Sequence, residues 1–72
     1  MTMTRAEILR QFKIWDVKVS VFQPLRFGQW FLNTHYPDLA EPLIFYGTNE
    51  RKVLNMILND PRFCSETYQT NQ

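Results

Sequence analysis

With 72 residues, 44% of them hydrophobic and 15% aromatic, and with eight Lys+Arg against seven Asp+Glu, the chain has room for one small domain of near-neutral charge. A domain of this size buries only about 60% of the surface its unfolded chain exposes, so its core is thin. The balance of charge excludes a carboxylate-dense DNA mimic and a strongly basic nucleic-acid binder, and a single cysteine excludes an intrachain disulfide.

Thr4-Arg5-Ala6-Glu7 has the T-x-x-E form of a capping box, which predicts a helix start. Ile8, Leu9, Phe12 and Trp15 then recur on one helical face over about residues 5–16, with Arg10, Gln11 and Lys13 on the solvent side. Beyond them Val17, Val19 and Val21 alternate with Lys18 and Ser20, and β-branched residues at period two predict an extended segment at about 17–22. Pro24 suits the first turn of a second helix, about 24–36, and Pro37 closes it. Within that helix Phe27, Trp30 and Phe31 share a face. Gly28 costs about 1 kcal/mol relative to Ala, which points to close packing or a bend.

Residues 37–42 are bracketed by prolines and read as a tight connector, and Leu43-Ile44-Phe45-Tyr46 reads as a second short extended segment at about 43–46, stopped by Gly47. Asn49, or Thr48 beside it, caps a third helix over about 49–60, in which Val53, Leu54, Ile57 and Leu58 form an apolar stripe. Asp60-Pro61 ends that helix. The fold class is therefore mainly α: a small three-helix domain with two short extended segments, over residues 1–64, followed by a polar tail at 65–72. The alternative is an α+β domain in which the two segments pair as a two-stranded sheet, which alone is marginal. Trp15 and Trp30 are expected in one core cluster with Ile57.

Little in the sequence carries chemistry. His35 is the only histidine and Cys64 the only cysteine, so a nucleophile with its base, or a zinc set, lacks partners, and the seven carboxylates are scattered singly. Gly28 and Gly47 are the only glycines, so there is no phosphate-binding loop. The expectation is a chain without catalytic residues, cofactor or metal, with Cys64 as a small hydrophobe. Basic residues are uneven: Arg5, Arg10, Lys13, Lys18 and Arg26 outnumber Glu7 and Asp16 by three in residues 1–36, whereas Arg51, Lys52 and Arg62 are outnumbered by two in the remainder. Aromatics interleave with the N-terminal cations as in single-strand binders, but a thin core claims those rings first.

The stretch Pro24-Leu25-Arg26-Phe27-Gly28-Gln29-Trp30-Phe31-Leu32-Asn33 carries R-x-G-Q-x-x-x-N and resembles a stretch found in short uncharacterised proteins encoded by tailed phages and prophages; the likeness extends over about residues 24–56. That group brings no assigned chemistry with it. Arg26, Gln29 and Asn33 line a helix face at spacings of three, four and seven. They can either bond the backbone of the 37–42 connector or meet a partner, and the first use is expected.

Function is expected to be protein interaction: a phage accessory protein that binds and modulates a host or phage protein, with Arg10, Lys13, Arg26, Gln29 and Asn33 as partner-binding candidates. The alternatives are a weak nucleic-acid-binding module using the basic N-terminal half, and a structural homodimer or larger homo-oligomer whose shared core makes up for a thin one. No apolar run approaches the ~18 residues of a membrane helix, the N-terminus is polar, and the lone cysteine fits a reducing compartment, so the expected place is the cytoplasm, that of the host cell if phage-encoded.

Overall fold

The computed structural model describes residues 2–67 as a mainly helical domain. Arg5–Ile14, the π-helical Trp15–Val19 and Ser20–Phe22 run on without a break as one helix, α1. Then follow α2 (Phe27–His35), the single turn α3 (Pro42–Phe45) and α4 (Glu50–Leu58). Among the described residues no strand forms; Met3 and Cys64 make one isolated parallel bridge. Through it Met3 N donates to Phe63 O at 2.7 Å and Ser65 N donates to Met3 O at 2.8 Å.

The local start signals act as their chemistry dictates. Thr4 Oγ1 accepts from Glu7 N at 3.1 Å, and Asn49 Oδ1 accepts from Lys52 N at 3.1 Å. A second carboxylate at the head of α1 comes from far along the chain, since Arg5 N donates to Glu66 Oε1 at 3.0 Å. Ser65 and Glu66, placed in the polar tail by sequence, are thus tied to the N-terminus, while Tyr68 to Gln72 lie outside the described residues.

Both extended segments are helical instead. At 17–22 the helix continues through a π turn, in which Ser20 N donates to Trp15 O, five residues back. Two side chains favour it: Ser20 Oγ donates to Asp16 O at 2.7 Å, taking up a helical carbonyl, and Trp15 Nε1 donates to Leu25 O at 2.8 Å. The alternation of valines is real but serves a helix, with Val19 packed on the core and Val17 and Val21 outside. At 43–46 Pro42 opens α3 at its first position, where a missing N–H costs nothing, and Phe45 N donates to Glu41 O at 2.8 Å. The second helix begins at Phe27 and not at Pro24. Its first amide is held by a carboxylate from another helix, Phe27 N donating to Glu50 Oε1 at 3.1 Å, while residues 23–26 cross from α1 as a connector.

The core joins Ile8 and Trp15 of α1, Phe27, Phe31 and Leu32 of α2, Ile44 of α3, the whole Val53-Leu54-Ile57-Leu58 stripe of α4, and Phe63 and Cys64. Its centre is a chain of rings: Phe12 to Phe27 at 4.8 Å, Phe27 to Phe31 at 5.5 Å and Phe31 to Phe63 at 6.1 Å between centroids. Trp15 and Ile57 belong to it as expected. Trp30 does not: it is half-buried at the rim, its ring 6.4 Å from that of Phe27. Leu9, placed by spacing on the inner face, is exposed. Gly28 is the site of close packing that its helical position implied, seated against the Ile44 carbonyl with no room for a Cβ.

Candidate interaction surface

Gln11 and His35 at one end, and Trp15 with Leu25 and Phe27 at the other, set α1 and α2 antiparallel. This arrangement turns the opposite side of α1 to solvent. The fifth residue of the π turn re-phases the helix, so residues four apart beyond Lys13 fall nearly into line. Lys13, Val17 and Val21 form that line, all exposed, Val17 by 48% and Val21 by 67%. Phe22, at the end of the helix, is 84% exposed, and Ser20 to Pro24 are exposed throughout. A phenyl ring and two valines left in water at a helix end form an apolar patch that the fold itself does not use.

Cations surround it. Arg10, Lys13 and Lys18 are exposed on α1, and Arg26 is exposed at the cap position of α2. Among the described residues both ion pairs belong to Arg62, which reaches Glu41 at 2.6 Å and Asp60 at 2.7 Å, so these four cations have no carboxylate partner there. The apolar residues of the patch, and Lys18, were missed by sequence reasoning because a strand reading placed half of them inward. A run Ser20-Val21-Phe22-Gln23-Pro24 with no inner partner for its rings was the available signal.

The five sequence candidates divide between the two antiparallel helices. Arg10 and Lys13 lie on α1; Arg26 and Asn33 are exposed and Gln29 half-buried on α2. Bonds from Arg26, Gln29 and Asn33 to the 37–42 connector, the use expected from sequence, do not form among the described residues. The connector is held otherwise, by Leu39 N donating to Tyr36 O at 3.1 Å and by the Arg62–Glu41 pair. Proline at 37 and 42 already stiffens it. The motif glycine keeps a structural role against Ile44, and the motif's polar side chains face outward.

Cys64 and His35 are both engaged within the fold. Cys64 is buried beside Phe63, and His35 Nε2 bonds Gln11 Oε1 at 2.9 Å, with its ring 5.9 Å from that of Trp30. Among the described residues no group of three His, Cys, Asp or Glu comes together to hold a metal ion, and no helix is long and apolar enough to cross a membrane. Burial pushes the His35 imidazole below its ordinary value of 6.5. A group with a depressed folded pKa adds stability that is present above the unfolded value and lost as pH falls through the folded one. The melting temperature is therefore expected to fall as pH drops below the ordinary histidine value, above the range where Asp60, held low mainly by its hydrogen bond from Arg62, titrates. His35→Gln should flatten that dependence, and an unchanged slope would place its origin elsewhere.

No family model, curated protein or solved structure matches the chain.

Proposed function

We propose that the chain is a non-enzymatic interaction module that docks a partner protein on the outward face of α1. The observation that carries this reading is the patch of Val17, Val21 and Phe22, exposed at the end of a helix and flanked by the unpaired cations Arg10, Lys13 and Lys18. An apolar centre with a charged rim is the anatomy of a protein interface, in which the centre supplies affinity and the rim supplies orientation and rate. The positive rim selects an acidic partner surface. Arg26, Gln29 and Asn33 belong to α2, which packs on the other side of α1, and lie outside this face. The R-x-G-Q-x-x-x-N resemblance supports placing the partner among host or phage proteins, met in the cytoplasm.

The experiment is affinity purification from host cells with the wild-type chain, with Val17→Glu combined with Val21→Glu, and with Asn55→Asp at an exposed position of α4 as control. A partner kept by wild type and control but lost from the double variant, with all three chains melting alike, is the expected result. Retention by the double variant would remove α1 as the docking face.

Arg26, one turn before half-exposed Trp30 on α2, and the unpaired cations of α1 favour a second reading, a weak nucleic-acid-binding module. Salt separates the two. Phosphate contacts from these four cations lose a factor of about 10² between 50 and 200 mM salt, whereas an apolar interface keeps most of its affinity. Reversal of Arg10 and Lys13 together should abolish any nucleic-acid binding.

A further inference from the structure

We propose a second docking site, in the groove between α3 and α4, for a linear segment of a partner protein that carries a large apolar side chain beside a carboxylate. The site shares no residue with the face of α1. It encloses about 490 Å³ and is lined by Leu43, Tyr46, Thr48, Lys52, Val53 and Met56, among others.

One apolar wall of the groove comes from α3. In its turn Ile44 is buried and Phe45 packs on the core, so two residues meet its packing needs. Leu43 and Tyr46 are left 75% and 71% exposed and stand beside the groove. Side chains of that size standing in water mark a surface shaped for contact and not for folding. The floor is firm, because Gly47 is pressed against Val53 too closely to admit a Cβ. Met56, half-buried and unbranched, can repack around different apolar groups. An open groove of this kind suits a chain segment laid along it more than an enclosed small molecule.

Charge fixes the rest of the ligand. Lys52 is the one ionic side chain lining the groove, and it has no ion pair among the described residues. It lies in the first turn of α4, where the partial positive charge of the helix end adds to its own. The acid of that turn, Glu50, accepts from the amide of Phe27 on α2 and does not line the groove. An apolar wall with a positive end complements a segment that pairs Leu, Phe, Trp or Met with Asp or Glu. A second copy of the same groove does not fit, because its lining carries no carboxylate to meet Lys52.

Short random peptides displayed as a library and selected against the immobilised full chain provide the test. Enriched peptides should pair a large apolar residue with an adjacent acidic one. Synthetic versions should bind at least about tenfold more weakly to Lys52→Glu, and to Leu43→Ser combined with Tyr46→Ser, as when an interface anchor is removed. All three positions are exposed, so wild-type melting is expected of these variants and is checked alongside. Val17→Glu with Val21→Glu should leave peptide binding unchanged, so failure of this site and failure of the α1 face are told apart. Enrichment of basic peptides, affinity indifferent to the groove changes, or self-association that those changes abolish would each overturn the proposal.

Discussion

Phe27→Ala is expected to destabilise the domain by about 3–5 kcal/mol, the range for removing a fully buried phenyl ring from a core that cannot collapse around the gap. Phe27 has no exposed surface and stands at the junction of four other rings: Phe12 at 4.8 Å, Phe31 at 5.5 Å, Trp15 at 5.8 Å and Trp30 at 6.4 Å between centroids. Removing it takes away the transfer energy of the ring and, with it, the edge-to-face contacts that join α1 to α2. Small domains have about 5–15 kcal/mol in total, so this change alone brings the chain close to unfolding at room temperature. Trp30→Ala is the comparison. Its ring is larger but half-buried at the rim, so the loss should be well below that of Phe27→Ala. Urea melts of the two variants measure the difference, and equal midpoints would show that Phe27 contributes no more than the rim ring of Trp30.

What could be read from the sequence follows from how local each cause is. The α4 stripe of Val53, Leu54, Ile57 and Leu58 is buried throughout because an unbroken 3.6-residue period leaves one solution, and the caps Thr4 and Asn49 act on amides three residues away. The π turn depends instead on tertiary geometry. It forms where Trp15 reaches the carbonyl of Leu25, ten residues on, and no window around Val17 contains that bond. Phe63 and Cys64 lie in a turn without periodicity and are buried because Met3, some sixty residues earlier, bridges to them. The candidate surface was half legible for the same reason. Arg10 and Lys13 are exposed cations on any helical reading, but Val17, Val21 and Phe22 become a solvent-facing patch only once α1 is known to run on past Trp15.

Gly28→Ala should destabilise the protein, reversing the sign that helix propensity gives. In the interior of an exposed helix the change from Gly to Ala gains about 1 kcal/mol. Here an added Cβ would overlap the carbonyl oxygen of Ile44 and stand 2.9 Å from its carbon, and both atoms are backbone, so no rotamer change relieves the contact. α3 must back away from α2, which opens the core at Ile44, and overpacking of this kind costs about 1–3 kcal/mol or more. Gly47→Ala makes an instructive counterpart. Its Cβ would overlap Val53 Cγ2, a side-chain atom, and stand 3.0 Å from Leu43 O, so much of the obstruction can be cut away. Combining each change with Val53→Ala forms two double-mutant cycles. For Gly47 the double variant should be more stable than the sum of the single losses predicts, since the methyl in the way has gone. For Gly28 the coupling should be smaller, because Val53 Cγ1 also stands 3.1 Å from the added Cβ but the closer obstacle, the Ile44 carbonyl, remains. If Gly28→Ala instead raises the melting temperature, α2 and α3 are not in backbone contact, and the groove walled by Leu43 and Tyr46 loses its fixed side.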